Sequence, residues 1–394
     1  SDVSASKFFS SMGFEYLYIE DGHNLEDSIF IFRKARQMVC DKTVVVHVKT
    51  MKGKGLEIAK NHPYKLHFSM PFNPDDASST SPTPTGKAYT QVLGDELKNI
   101  LENDKDTYII TPSTPYASGL DKLLIEFPDN TIDVGMAEQQ AAGMAAGLSI
   151  QKKKVFLCYQ STFMQRAMDQ IFHDICFMNL PVTIIASRSG FSGFDSPTHH
   201  GIYDLSYLRG LPNLEIFYAS SSKNLRAILN YRALNAKKPM IILHPYESIR
   251  EDESKYFTNN TILEDETIFE GANYYIFTVG NRLETAIKLK EALKEYGLKV
   301  GIINISWIKP LRKKFIIEKL QSSQFVITLE ENVINGGFGS SIAELIVDNS
   351  LNTKLVRIAI KSEYTSTGDK EYLSKLENLD VESIIETLKQ RNII

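Results

Sequence analysis

Glu138 follows the apolar run Thr131–Val134 through Gly135, Met136 and Ala137, and it opens a stretch to Leu148 made mostly of small residues. In open α/β sheets ligands collect where strands end and loops begin, so a carboxylate in that position is a candidate for acid–base chemistry. A helix dipole also favours a carboxylate at its start, and a capping Glu is the plain structural alternative. Asp195, His199 and His200 lie in a loop bounded by Gly190, Gly193 and Gly201, glycines that allow tight backbone turns close to a ligand. Imidazoles beside a carboxylate can move protons near neutral pH, although a lone histidine is more often structural. Arg188 follows the strand-like run Val182–Ala186, where the same sheet-end argument points to a ligand. Arg166 stands three residues after Phe163, so helical spacing lets both side chains face one cleft, against the alternatives of a core Phe and a solvated Arg.

These residues need elements to position them. Leu25–Val39 reads as a helix and Thr43–Val48 as a β-branched strand, half of an α/β unit. The stretch Asn73–Pro84 is rich in Pro, Ser, Thr and Asp with few large apolar residues, which predicts a linker over 76–86. Thr85 can then cap a helix whose apolar positions are Tyr89, Val92, Leu93, Leu97, Ile100 and Leu101. Strand runs at 108–111, 131–134, 155–158, 182–186, 214–217 and 240–243 alternate with helical segments, and after a charged stretch (250–265) so do runs at 274–279, 300–304, 325–329 and 354–358. The alternation predicts an α/β protein of doubly wound parallel sheets in three layers. Its parts are a partial first domain over 1–75, a middle domain over 87–250 and a last domain over 265–394.

Composition narrows the function classes. A chain of 394 residues with 43% hydrophobic and 23% charged residues is ordinary globular protein of more than one domain. Its formal net charge of -4 supplies no field to gather nucleic acid or a membrane surface, so neither partner is expected. Cys40, Cys158 and Cys176 are far apart and lack CxxC spacing, which suggests neither disulfides nor zinc and fits a cytoplasmic setting. Apolar runs such as Thr43–Val48 are strand-sized, and no signal-peptide pattern precedes them. The glycine-rich stretch Asn335–Gly339 lacks both GxGxxG spacing and a Walker lysine, so no nucleotide cradle is expected there.

The run DVGMAEQ at 133–139 closely resembles the signature of the pyrimidine-binding domain of the transketolase superfamily. STFMQRAMDQ at 161–170, DSPTHHG at 195–201, DLSYLR at 204–209, DGH at 21–23, KGKG at 52–55 and EENVINGG at 330–337 resemble, in order, successive blocks of the 1-deoxy-D-xylulose-5-phosphate synthase family. The resemblance implies a thiamine-diphosphate-binding fold followed by a transketolase C-terminal domain, thiamine diphosphate and Mg2+ as cofactors, a homodimer and a role in isoprenoid biosynthesis. It implies that Glu138 hydrogen-bonds a ring nitrogen of the aminopyrimidine, shifting it to the imino form that serves as a base beside the thiazolium carbon. Phe163 matches the aromatic residue stacked on that ring, with Met136 and Lys52 also on the cofactor. His199, Asp195, Arg166 and Arg188 match the substrate end, where a guanidinium suits a phosphate. His67 matches another active-site histidine. The last domain, with Asn335–Gly339, is then mainly structural and dimer-forming.

The pattern also departs from that family. The Gly-Asp-Gly motif and following Asn that hold the cofactor's diphosphate and metal do not occur in this sequence. Those ligands are therefore expected outside this chain, in a front segment lost by cleavage or disorder, or on a separate polypeptide. The start at Ser1, inside the first domain, favours loss over a natural split. Tyr246 stands where the family presents an arginine for the phosphate of glyceraldehyde 3-phosphate, and Gln140, Gln160 and His200 replace a histidine, a tyrosine and a glutamine. Three functions are consistent with this. The first joins pyruvate, with loss of carbon dioxide, to glyceraldehyde 3-phosphate; the second is a transketolase-like reaction with another donor or aldehyde; the third is a non-catalytic subunit lacking the diphosphate site.

Overall fold

The computed structural model describes residues 3–61, 66, 71–78, 80, 87–193, 195–257, 265–361 and 364–394, which fall into two compact units, Ser1–Pro84 and Thr85–Ile394. In the first unit β1 (Glu15–Ile19) and β2 (Val44–Val48) pair in parallel. The helix Leu25–Met38 connects them, started by Asn24, whose side chain accepts from the N–H groups of Glu26 and Asp27 at 3.0 and 3.3 Å. None of that helix is buried, and Leu25, Ile29, Phe30 and Phe32 are exposed. Lys52 is exposed on a turn of this unit. His67, Thr85 and most of the expected linker lie outside the described residues.

The second unit contains two sheets. The larger comprises β3 (Thr107–Thr111), β4 (Thr131–Asp133), β5 (Lys154–Gln160), β6 (Thr183–Ser189), β7 (Glu215–Tyr218), β8 (Met240–Pro245) and β12 (Trp307–Lys309), in the order β12-β7-β8-β6-β5-β3-β4. The smaller comprises β9 (Glu266–Phe269), β10 (Tyr274–Thr278), β11 (Val300–Asn304), β13 (Phe325–Val333) and β14 (Lys354–Ile360), in the order β14-β13-β10-β11-β9. The expected α/β architecture is present, with one correction: β9 and β12 run antiparallel at the edges of otherwise parallel sheets.

The first helix of this unit starts at Tyr89, with Ala88 as the cap position; the Gln91 side chain accepts from the Ala88 N–H at 2.9 Å. Its predicted apolar positions, Tyr89, Val92, Leu93, Leu97, Ile100 and Leu101, are all buried, and with Ile228 and Leu229 of the helix Ser222–Asn235 they cover one face of the larger sheet. On the other face the small side chains Ala141, Ala142, Ala145 and Ala146 let the helix Glu138–Ile150 lie close to the strands. That core continues without a break into Phe277, Ile303 and Phe338 around the smaller sheet. Strand β12 crosses the same way: it follows β11 in sequence yet pairs with β7, where Trp307 meets Phe217 edge-on at 5.3 Å. Middle and last parts are thus one packed body.

Candidate active site

Strands β4, β3, β5, β6 and β8 are mutually parallel, so their C-terminal ends lie along one edge of the sheet. The chain runs from β3 outward to β4 and then back to β5 on the other side of β3, a topological switch at which such folds bind ligands. Glu138, Phe163 and Tyr246 follow β4, β5 and β8, and Arg188 lies at the C-terminal end of β6.

Glu138 is the first residue of its helix and is 6% exposed. Two fixed groups place it. The Asp133 carboxylate accepts from the N–H of Ser113 at 2.8 Å and of Gly135 at 2.9 Å, tying the end of β3 to the turn before the helix. The Tyr159 hydroxyl donates to the Glu138 carbonyl at 2.7 Å, and burial, with the Glu138 charge acting in the same direction, keeps that phenol protonated. The Glu138 carboxylate itself has no hydrogen-bond partner among the described residues. A buried acceptor left open at the mouth of a sheet is suited to a ligand donor. Met136, just before it, is 88% exposed. The Gln160 Nε2, at the end of β5, is a second buried group without a partner among the described residues.

Arg188 owes its position to a bulge. Ser187 pairs with His244 and Ser189 with Pro245, leaving Arg188 as the extra residue of β6 at φ +65°. A non-glycine residue in that region is a local strain of the kind that gathers at functional sites. Its guanidinium carbon lies 4.1 Å from the centre of the Tyr246 ring, Nη1 is 3.6 Å from Asp195 Oδ2, and Nε is buried without a partner among the described residues. Asp195 Oδ1 faces His199 Nε2 at 3.9 Å, while the His199 ring meets Phe163 edge-on at 5.3 Å. Thr162 reinforces the contact by donating to the Thr198 carbonyl at 2.7 Å. Phe163, His199, Asp195, Arg188 and Tyr246 therefore form one chain of contacts.

The other expected residues do not join it. Arg166 comes one turn after Phe163 on a continuous helical backbone, α-helical over Ser161–Met164 and tightened to a 3-10 turn over Gln165–Ala167. Arg166 is exposed and has no ion pair among the described residues. The two loop histidines also separate. His200 is buried; its Nδ1 accepts from the Ser192 N–H at 2.9 Å and its Nε2–H donates to the Ser366 carbonyl at 2.8 Å, a neutral structural imidazole. Among the described residues no three His, Cys, Asp or Glu side chains gather as a metal site requires.

Two buried groups beneath the cluster escaped the sequence reading. Asp204 accepts from the hydroxyls of Ser161 at 2.6 Å, Ser189 at 2.8 Å and Tyr207 at 3.0 Å, joining the ends of β5 and β6. Burial raises its carboxyl to about 6 against those stabilising bonds. His244 donates from Nδ1 to the Pro245 carbonyl at 3.2 Å and accepts at Nε2 from Ser187 at 2.9 Å. Burial, with the charge of Arg188 in the same direction, lowers it to about 4. In the glycine-rich stretch a side chain of the chain itself occupies the helix start: the Glu330 carboxyl group accepts from the N–H groups of Phe338 and Gly339 at 2.6 and 2.7 Å.

Residues 85–251 match the family model for the transketolase pyrimidine binding domain, and residues 266–384 that for the transketolase C-terminal domain. The chain is 36% identical over 381 residues to 1-deoxy-D-xylulose-5-phosphate synthase of Halothermothrix orenii, covering 96% of this chain and 59% of the relative. It is 36% identical over 387 residues to the synthase of Carboxydothermus hydrogenoformans, covering 98% and 61%. It thus spans about three fifths of the length of the curated relatives it matches. A solved structure described as a split gene transketolase, inactive beta4 tetramer, shares the fold at TM-score 0.69 and 23% identity, over 77% of this chain and 98% of that one.

Proposed function

Since the chain belongs to the transketolase superfamily, we propose that it carries the pyrimidine half of a thiamine-diphosphate site. The reaction it serves is of the 1-deoxy-D-xylulose-5-phosphate synthase type, joining the two-carbon unit of pyruvate to glyceraldehyde 3-phosphate with loss of carbon dioxide. The observation that carries this reading is Glu138, a buried carboxylate without a partner among the described residues, at a helix start beside the sheet switch point. Bound thiamine diphosphate would supply a carbon nucleophile that takes up the two-carbon unit. Glu138 holds a proton at a ring nitrogen of its aminopyrimidine, and Phe163 offers the ring an aromatic face. His199, oriented by Asp195 and Phe163, exchanges a proton with an oxygen of the substrate. The diphosphate end and Mg2+ fall to residues outside this chain, in a further segment or polypeptide, and the exposed Leu25, Ile29 and Phe30 of the first unit offer that segment an apolar surface. A homodimer in the cytoplasm, working in isoprenoid biosynthesis, completes the reading.

One observation favours a second acceptor. With Tyr246 lying over Arg188 and Asp195 beside it, the guanidinium is already compensated, and an arginine in place of Tyr246 would add a charge-assisted bond of about 1.5–3 kcal/mol to a phosphate. An aldehyde with less negative charge suits this pocket better. The test is carbon dioxide release from pyruvate, with phosphorylated and unphosphorylated aldehydes, by this chain combined with its diphosphate-binding part. Glu138→Gln is expected to lower release about 10²–10⁴-fold without lowering the melting temperature. Undiminished release in that variant overturns the role of Glu138, and no release by the wild type overturns pyruvate as donor.

A further inference from the structure

The loop from Gly190 to Gly201 is held from the side of the smaller sheet. Glu331 of β13 lies against Gly190, where an added Cβ would stand 2.3 Å from Oε2. That carboxylate accepts from Asn281 Nδ2 at 2.6 Å and pairs with Arg282. Arg282 also lies 5.7 Å from the centre of the Phe191 ring and donates from Nη1 to Ser374 Oγ at 3.0 Å. Farther along, the His200 Nε2–H bonds the Ser366 carbonyl at 2.8 Å and the Gly368 N–H reaches the Gly193 carbonyl at 3.4 Å. Lys370 donates from Nζ to the Tyr246 carbonyl at 2.5 Å and pairs with Glu247 at 3.3 Å.

We propose that the segment Tyr364–Ser374 is a strap that positions the acceptor side of the active site, with His200 and Lys370 as its positioning residues. The proposal rests on the assignment of Arg188, Asp195 and His199 to that site. Its two anchors reach opposite walls. His200 adjoins His199 and fixes the far end of the glycine-bounded loop, and Lys370 fixes the peptide of Tyr246, whose ring covers Arg188. A loop with positive φ at Gly190 and Gly193 has few rigid residues of its own, so its order depends on what grips it. Lys370 is suited to the task because Glu247 is half-buried beside it: desolvation raises that carboxyl while the lysine charge lowers it, and losing the lysine removes that counter-charge. Small displacements of positioning groups cost heavily in a reaction that depends on alignment. The last part of the chain, expected to be mainly structural, thus belongs to the site.

Amide hydrogen exchange on the chain as it stands tests the strap without any assumption about the reaction. The N–H groups of Ser192 and Gly201 are hydrogen-bonded, to His200 Nδ1 and to the Gly190 carbonyl, and neither touches Lys370. In Lys370→Met they are expected to exchange about tenfold faster while Ile184 and Ile185 of β6 keep their rates, and Lys370→Arg is expected to restore protection. Unchanged rates at Ser192 and Gly201 overturn the strap. Equal acceleration in β6 also overturns it, because the lysine would then support the fold at large. His200→Ala probes the other anchor: the Gly368 amide is expected to exchange about tenfold faster, and an unchanged rate removes His200 from the proposal. In the completed enzyme Lys370→Met is expected to raise the acceptor KM about tenfold and leave release from pyruvate alone unchanged. A wild type that releases nothing bears on the proposed reaction, and the exchange result still decides the strap.

Discussion

Glu330 and His244 bring opposite signs to the pH dependence of stability. Burial raises Glu330 from 4.5 to about 7, despite the N–H groups of Phe338 and Gly339 that favour its charged form. Its folded value lies above its unfolded one, so the folded state binds the extra proton and stability falls as pH rises from about 4.5 through about 7. Asp204 and Asp265, raised to about 6 by burial, act in the same sense at slightly lower pH. His244, lowered from 6.5 to about 4, acts the other way: the unfolded chain takes up the proton first, and stability is lost as pH falls through that interval. Below about 6.5 His244 opposes the raised acids in part, and above it Glu330 is the main group still losing its proton. The urea midpoint of the wild type is therefore expected to fall between about pH 6.5 and about pH 7.5, and Glu330→Gln to flatten that fall by up to about 1.4 kcal/mol per pH unit. An equal slope in both proteins would show that Glu330 ionises in the fold as it does in water. Residues of this kind were the least legible in the sequence. Glu138, Arg188, Asp195 and His199 could be picked out because they follow strands or lie between glycines. Asp204 could not, because its value lies in three hydroxyls brought to it from the turn after β5, from β6 and from its own helix.

At the scale of elements, the long buried strands and the amphipathic helix from Tyr89 were readable because their period matches the face they bury. β9 and β12 were not. Each is short and lies at a sheet edge in the antiparallel sense, and three or four residues leave little pattern. The bulge at Arg188 was hidden for a different reason: the run of apolar residues ends at Ala186, yet the ladder continues to Ser189, which pairs with Pro245 of β8 and bridges to Gly201. Gly201 exchanges hydrogen bonds with Gly190 at 2.8 Å in both directions. A Cβ at Gly201 would stand 2.3 Å from Ser161 Oγ and 2.8 Å from the Arg188 carbonyl oxygen. The hydroxyl could turn away, but the carbonyl belongs to the bulge and cannot. Gly201→Ala is expected to cost about 1–3 kcal/mol in chemical denaturation, because the added methyl must push the bulge aside. A loss below about 0.5 kcal/mol would mean that the loop yields freely and does not hold Arg188.

For the molecule as a whole, the two units should differ in their resistance to opening. In Thr85–Ile394 the helix-covered sheets share a core, and β12 seats Trp307, the single tryptophan, against Phe217 of the neighbouring strand β7. Opening the larger sheet would uncover that indole, so its emission reports on this unit's core. In Ser1–Pro84 the helix Leu25–Met38 buries none of its residues, and every residue of β2 is only partly covered. Opening that unit exposes little further apolar surface, and its local free energy should be far below the global value. Mild trypsin is therefore expected to cut first at exposed basic residues such as Lys34, Arg36 and Lys42, and to leave a resistant core beginning near residue 85 with unshifted Trp307 emission. Fragments from within 85–394 appearing at the same rate would refute the contrast, as would an emission shift coinciding with the first cut. The same assay bears on the proposed site. A polypeptide that supplies the diphosphate ligands by packing on Leu25, Ile29 and Phe30 should slow the first cuts and leave the later ones unaltered, because binding stabilises only the unit it covers.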